Sequence, residues 1–320
     1  MNPELLKVLR DPITHLPLRL EQGILIGSKK YAVIDGIPRF VEIQNEAVQS
    51  FGDEWNHFNF IDFKKHWLHH IIQNTFGTLD SSEVFKGKIV VDAGAGSGSQ
   101  SKWIAEAGAS KVYALELSHS VDGVMKLNLN GLSNVEVIQC SIDNVPLVSE
   151  LADIVYCVNV IQHTPSVENT AVELFRLVKP GGELVFTCYN ENGWGKGIKR
   201  IVRKMVHNSM RAIISKLPFR VILFYSHVMS FLRFIPLLGW LLEGCLFMCR
   251  GEVLERGWKA KYKAGVLNTF DMFGSHTYQH IKTERELRDL VSSLNPTRAL
   301  NVDKMFGDPP PIGCAFRITK

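Results

Sequence analysis

The stretch IVVDAGAGSGSQS, residues 89–101, decides the fold of this chain. Its apolar start predicts a buried strand ending at Asp92, and Gly94, Gly96 and Gly98 then follow at two-residue spacing before a helix. Glycines at such a turn let the backbone bend sharply and approach a ligand with no Cβ in the way. The turn alone is not specific, because dinucleotide-binding proteins carry a similar one.

The sequence blocks that follow this turn narrow the choice between the protein classes that carry it. From residue 88 strands and helices alternate, which predicts βαβ units and a parallel sheet. Glu116 ends the second strand, where a carboxylate can accept both ribose hydroxyls of a bound nucleoside. VEVIQCSIDNVPL (135–147), DIVYCVNVIQHTPS (153–166) and the turn KPGG (179–182) follow in order. We expect strands at 89–92, 111–115, 135–139, 154–158 and 183–188, helices at 99–107, 169–177 and 283–293, and a last strand within 313–319.

Together these blocks resemble the class I S-adenosylmethionine-dependent methyltransferases, closest to their type-11 small-molecule branch. The resemblance covers residues 88–190, about a third of the chain. It implies an α/β fold: an open, mostly parallel, seven-stranded Rossmann-like sheet with helices on both faces. It also implies that S-adenosyl-L-methionine is the cofactor.

The resemblance assigns cofactor contacts residue by residue. Asp92, Gly94, Gly96 and Gly98 would surround the methionine part of the cofactor, and Asn159 would lie beside its sulfonium. Glu116 would hold the ribose. Leu117 would lie against the adenine, and Ser141 and Ile142 would lie at the adenine edge. Ser141 departs from the family pattern, because a hydroxyl stands where relatives have a carboxylate. We therefore expect weaker adenine binding.

Methyl transfer to a hydroxyl or an acidic carbon needs a base. His163, which follows the fourth strand, is the candidate; the alternative is that it only binds the loop backbone. Weaker candidates for substrate contacts are Tyr189, Trp194, Asp271, His276, Tyr278 and His280, for which packing or an ordinary solvated loop is the alternative. Phe51 and Trp55 would form a lid or simply dock a helix on the core. No metal site is expected.

The N-terminal part reads as two small units. Residues 1–45 predict a small β-rich domain, which resembles the zinc-ribbon-like domain fused to, or activating, several methyltransferases. Asp11, Thr14 and Ser28 stand near positions where that family has cysteines, so no zinc is expected. Residues 46–87 predict a helical lead-in or lid.

Residues 191–265 interrupt the alternation with a basic, then apolar, helical insertion, and residues 266–320 complete the sheet. Nine basic residues and no acidic one lie between Lys196 and Leu242, whereas the whole chain carries only +4. We expect a cap over the active site whose apolar face packs on the sheet and whose charges face solvent. The alternative, or a second use of the same segment, is peripheral contact of residues 196–242 with a membrane surface that carries anionic lipid.

The apolar runs are too short to span a membrane, and no CxxC pair or signal peptide is visible. We therefore expect a cytoplasmic protein. Any peripheral contact would be with the inner face of the membrane. The predicted function is methyl transfer to an oxygen, nitrogen or carbon of a small-molecule acceptor, with lipid-like and glycolipid acceptors included. The alternatives are an RNA methyltransferase, a cofactor-binding pseudo-enzyme acting through its insertion, and a nicotinamide oxidoreductase. No nucleic-acid partner is expected, because the basic residues alternate with apolar ones. The oligomeric state stays open.

Overall fold

The computed structural model describes residues 1–41, 46–191, 197–244, 247–248, 257–274, 277–302 and 314–320. The strands are β1 (Arg19–Glu21), β2 (Ile24–Ile26), β3 (Lys30–Ile34), β4 (Ile37–Pro38), β5 (Ile89–Ala93), β6 (Lys111–Glu116), β7 (Val135–Gln139), β8 (Ala152–Cys157), β9 (Val178–Cys188), β10 (Arg298–Asn301) and β11 (Cys314–Thr319). The α-helices are Pro3–Val8, Glu46–His57, Ser81–Phe85, Ser99–Glu106, Val124–Asn128, Val167–Leu177, Gly197–Ile214, Phe219–Leu232, Leu238–Gly244, Trp258–Phe273 and Glu284–Ser293, and a mixed helical stretch runs from Ile61–Phe63 to Gln73–Phe76.

The main sheet has seven strands in the order β10-β11-β9-β8-β5-β6-β7. Strands β5 to β9 pair in parallel, and β11 and β10 close one edge in antiparallel fashion. The predicted fold class is thus confirmed. One detail differs, because β9 begins at Val178 instead of residue 183. A register irregularity between Ala152 and Ile154 lets the chain pair with β8 across the KPGG turn.

Side chains alternate between the two faces of this sheet, as a period of two requires. Val91 and Tyr113 face one apolar cluster, which holds the helices Val167–Leu177 and Glu284–Ser293. Their neighbours Val90 and Val112 face the other cluster. Since both faces are covered, the strands read as nearly continuous apolar runs.

The N-terminal unit is a four-stranded antiparallel sheet in the order β1-β2-β3-β4, and its core side chains join the first cluster. Asp11 ties two of its loops together. Its fully buried carboxylate accepts hydrogen bonds from the backbone amides of Ile13 and Thr14 (2.8 and 3.0 Å) and from the amide and hydroxyl of Ser28 (2.5 and 2.7 Å). Burial raises the pKa of Asp11, but these hydrogen bonds outweigh it and lower the pKa to about 2.

The insertion consists of helices outside the sheet. We name Gly197–Ile214 the first insertion helix, Phe219–Leu232 the second, and Trp258–Phe273 the bracing helix. The second packs closely on the bracing helix through small residues: a Cβ on Gly265 would lie 3.0 Å from Ser230 Oγ. Within the described ranges, no helix combines the length and the apolarity needed to cross a bilayer.

The polarity of the first insertion helix differs from the expectation of a cap whose charges face solvent. Ile198, Ile201 and Met205 are 80%, 60% and 65% exposed. Arg211 instead turns inward, where backbone carbonyls accept its hydrogen bonds, and the partly exposed Arg200 donates to Glu191. The arrangement is possible because the inward cation has partners, so burial does not leave it unsatisfied.

Candidate active site

The glycine turn after β5 has the backbone that its sequence predicts. Gly94, Gly96 and Gly98 have φ values of 83°, 57° and 77°, in the left-handed region that favours glycine. The amides of Gly94 and Ala95 both donate to the carbonyl of Leu115, at 2.9 Å each, so the turn is fixed to the end of β6. A Cβ on Gly94 would lie 2.6 Å from Val160 Cγ2, hence the loop after β8 leaves no room for a side chain.

Two buried carboxylates stand at the carboxyl ends of β5 and β6. Glu116, 4% exposed, accepts hydrogen bonds from the amides of Gly96 (2.7 Å) and Ser118 (2.8 Å). Asp92 accepts one from the Ser101 hydroxyl at 2.5 Å. Burial raises the pKa of Asp92 to about 7, with repulsion from Glu116 adding to the effect and the Ser101 hydrogen bond opposing it.

The remaining predicted cofactor residues lie at the same edge of the sheet. Leu117 follows β6, and Ser141 and the buried Ile142 follow β7, whose Gln139 pairs with Glu116. Asn159, just after β8, has a φ of 62°, and its side-chain oxygen accepts a hydrogen bond from Thr187 at 3.2 Å. The carboxyl edge of the sheet therefore brings these positions to the glycine turn, as ligand sites in open α/β sheets require.

The helix Glu46–His57, which we call the lead-in helix, docks on this turn. A Cβ on Gly96 would lie 3.0 Å from Trp55 Cδ2, so the indole rests against the glycine. Asn56 accepts a hydrogen bond from the amide of Val124 at 3.0 Å. Phe51 lies edge-on to His163, with ring centroids 5.7 Å apart. Both lid candidates thus lie at the site.

His163 lies among aromatic side chains on the neighbouring loop. Its ring centroid is 5.6 Å from that of Tyr189, and its Nδ1 is 3.1 Å from the carbonyl oxygen of Tyr278. A carbonyl only accepts, so this contact places the proton on Nδ1 and makes Nε2 the basic nitrogen of the neutral ring. The preceding Gln162 is fully buried, and neither atom of its side-chain amide has a hydrogen-bond partner in the part of the chain described.

The weaker substrate candidates divide into three groups. Tyr189 donates a hydrogen bond to Asp271 at 2.5 Å, which joins the end of β9 to the bracing helix. His280 ties the C-terminal segment to the loop after β8, through its amide on Gln162 (2.8 Å) and its Nε2 at 3.0 Å from the carbonyl of Thr164, and Tyr278 stacks beside it. Trp194 and His276 lie outside the described residues.

Glu54 and Arg211 at the site were not predicted as site residues, whereas Asp271 was a weak candidate for substrate contacts. Glu54 of the lead-in helix is 2% exposed; burial, then repulsion from Asp271 and Glu116, raises its pKa well above the ordinary range. Asp271 and Arg211 come from the insertion side and attract each other. The sequence signal for Glu54 is its position, three residues after Phe51 and four before Phe58, on the apolar side of the helix.

Across the described ranges, no group of three or more His, Cys, Asp or Glu side chains is arranged to hold a metal ion. The four cysteines described, at positions 140, 157, 188 and 314, are buried free thiols.

Comparisons with known proteins agree with this geometry. Residues 91–186 match the family described as "Methyltransferase domain". A ubiquinone biosynthesis O-methyltransferase of Pseudomonas fluorescens (strain Pf0-1) is 31% identical over 127 residues, which is 39% of this chain and 54% of that protein. Protein arginine N-methyltransferase 6 of Danio rerio is 33% identical over 115 residues, 34% of this chain and 33% of that one. The chain thus spans about half, or less, of the length of these relatives.

Solved structures are similar at low identity. Magnesium protoporphyrin IX methyltransferase from Synechocystis PCC 6803, with bound SAH, has a TM-score of 0.45 at 15% identity and covers 84% of this chain and 93% of its own. A complex that contains the Haloferax volcanii Trm112 methyltransferase activator gives 0.48 at 12%, with coverage of 85% and 97%. The family match over residues 91–186 and the order of the sheet show an α/β, Rossmann-like methyltransferase fold.

Proposed function

We propose that this chain is an S-adenosyl-L-methionine-dependent methyltransferase whose acceptor is a small molecule, methylated on oxygen, nitrogen or carbon. One observation carries the proposal: the glycine turn and the carboxylates of Asp92 and Glu116 meet at one edge of the sheet, inside the matched domain. The Glu116 carboxylate would exchange its contact with the Gly96 amide for the two ribose hydroxyls. Asp92, once ionised, would attract the positively charged amino group of the methionine part.

The acceptor side of the proposal rests on the groups around His163. Phe51 and Tyr189 give this side aromatic walls, and Tyr189 with Asp271 gives it a polar end. Such a mixture suits an apolar or lipid-like molecule that carries one polar atom. The buried amide of Gln162 adds a group that an acceptor or a water molecule could satisfy. The similarity to ubiquinone biosynthesis O-methyltransferases makes oxygen acceptors the first class to test.

In this proposal His163 takes the proton from the acceptor. Its Nδ1 is held by the carbonyl of Tyr278, which leaves Nε2 to act as the base. Tyr189 and Asp271 would position the acceptor by hydrogen bonding. Exchanging His163 for alanine should then lower turnover and leave cofactor affinity nearly intact, as measured with any acceptor found by screening with a labelled methyl donor.

The first experiment is calorimetric titration of the full chain with S-adenosylhomocysteine, with NADH as the control ligand. We expect binding of the former alone. Glu116→Ala should weaken it at least about tenfold, because two ribose hydrogen bonds to a charged group are lost. The matched control Glu136→Gln should not, since Glu136 pairs with Lys111 at the opposite edge of the sheet. Binding of neither ligand would favour the pseudo-enzyme, and NADH binding would overturn the proposal.

A further inference from the structure

The first insertion helix presents a mostly apolar face to solvent, interrupted by the exposed polar side chains of Asn208 and Ser209. Four apolar side chains follow one another at helical spacing, and a fifth lies about two turns further on; all five are more than half exposed: Ile198, Ile201, Val202, Met205 and Ile213. A surface helix of a globular protein ordinarily buries such a stripe in the core. Here the stripe has no cover in the described part of the chain.

The opposite face of this helix is already committed to the protein. Arg200 donates to Glu191 at 3.1 Å, and Arg211 donates to the carbonyl of Gly274 at 3.3 Å. His207 is buried, with its ring centroid 5.9 Å from that of Phe273. Because these polar groups have partners inside, rotating the helix to bury its apolar stripe would expose or break them. The outward direction of the stripe is therefore built into the fold.

The following helices continue the pattern. On the second insertion helix, Val221, Phe224 and Phe231 are exposed on one side, whereas Ile222, Ser226 and Ser230 face inward. Beyond it, Leu237, Trp240 and Leu241 are 83%, 72% and 52% exposed. Exposed apolar side chains grouped on neighbouring helices in this way mark an interaction surface. Phenylalanine and tryptophan are side chains that suit the boundary between water and hydrocarbon.

The exposed charged side chains that the structure describes on these helices are all basic. Lys216 and Arg220 lie between the two helices, and Lys259, Lys261 and Lys263 lie on the bracing helix; all five are exposed. None of them forms an ion pair within the described ranges, and the sequence has no acidic residue from 196 to 242. A partner for this surface should therefore be both apolar and anionic.

We propose that the outer sides of the two insertion helices and the segment 237–241 dock on the surface of an anionic lipid bilayer. The helices would lie in the plane of the interface, in keeping with the finding that no helix among the described residues can span the bilayer. A second copy of this chain fits less well, because it would bring two clusters of unpaired cations together. RNA fits less well, since the exposed apolar side chains would face phosphates.

The surface also adjoins the acceptor side of the proposed active site. The inner side of the first insertion helix carries Arg211, which is attracted to Asp271 and Tyr189. One helix thus separates the bilayer from these groups by its own width. This last step rests on the proposed function: an acceptor dissolved in the bilayer would have a short path to His163.

The test is co-sedimentation of the full chain with vesicles of phosphatidylcholine, with and without phosphatidylglycerol. We expect binding to the anionic vesicles, and weaker binding in high salt. The double variant Ile201→Ser/Met205→Ser should lower the partition coefficient at least about tenfold, because two side chains leave the hydrocarbon boundary. Phe224→Ser tests the second helix in the same way. The matched control is Leu127→Ser/Val172→Ser, which removes side chains that are 78% and 57% exposed on helices of the sheet domain; it should bind as the parent does.

The possible results of these experiments distinguish the membrane proposal from its alternatives and from the proposed function. Failure to bind anionic vesicles, or equal losses in the control, would overturn the inference. So would light scattering that shows a dimer which the Ile201→Ser/Met205→Ser variant dissociates. Titration of each variant with S-adenosylhomocysteine keeps the two proposals apart. Normal titration without vesicle binding refutes only the membrane surface, and vesicle binding without titration refutes only the proposed catalytic function.

Discussion

Replacing Gly94 by alanine tests the geometry of the glycine turn. Its φ of 83° costs an alanine about 1–2 kcal/mol through contact of Cβ with its own backbone. The new Cβ would also lie 2.6 Å from Val160 Cγ2 and closer still to Cγ1, where carbon atoms normally stand about 3.5–4.0 Å apart. Valine is stiff at χ1 and cannot turn both methyl groups away, so the turn and the loop after β8 must separate. Overpacking of this kind costs about 1–3 kcal/mol.

Gly131 provides the matched control. Its φ is 82°, and a Cβ there would meet no atom within 4 Å, so Gly131→Ala has the same backbone cost without the clash. We expect the control to lose about 1–2 kcal/mol in denaturant unfolding and to bind S-adenosylhomocysteine as the parent does. Gly94→Ala should lose about 2–5 kcal/mol and bind the ligand at least about tenfold more weakly, because Asn159 and the turn move apart. If the two variants lose the same stability and keep the same affinity, the steric reasoning is wrong.

Two carboxylates give predictions with a defined pH dependence. The pKa of Asp11 is about 2 in the fold against 3.8 normally, so this carboxylate contributes about 2 kcal/mol to the free energy of unfolding above pH 3.8, and the contribution is lost as the pH falls through 2. In denaturant unfolding, Asp11→Asn should therefore be about 2 kcal/mol less stable than the parent at neutral pH, and the difference should shrink over this window. Asp35→Asn, at an exposed ion pair with Lys126, serves as the control. The pKa of Asp92 is raised to about 7, so the fold loses stability as the pH rises from about 4 to 7. Over the same range the affinity for the cationic amino group of the cofactor should rise. If calorimetry finds the same pH dependence of affinity for Asp92→Asn, the proposed role of Asp92 is wrong.

Most strands of the main sheet could be predicted because each is marked by a local pattern in the amino-acid sequence. Strands β5 to β8 follow from buried β-prone runs that end in turn or polar residues, and the structure moves their bounds by at most two residues. Strand β10 was not predicted: Arg298, Ala299 and Leu300 are all exposed on the edge of the sheet, so their sequence has no alternation to detect.

The candidate site was predictable only where one motif supplies it. Asp92 and the three glycines lie within seven residues, but Tyr189 and Asp271 meet across 82 positions of chain. No local pattern encodes such a contact. The insertion shows a different limit: periodicity reveals a stripe of apolar residues and a stripe of basic ones, but not which of them faces inward. That choice depends on Glu191 and on carbonyls of the bracing helix, which offer the arginines partners.

The position of the lead-in helix has a kinetic consequence. Through Trp55 it rests on Gly96 beside the cofactor turn, and through Phe51 it touches His163 on the acceptor side. A single rigid rod in contact with both halves cannot release one without disturbing the other. If the function proposed above holds, access of the cofactor and of the acceptor should therefore be coupled, because one helix would have to move for both.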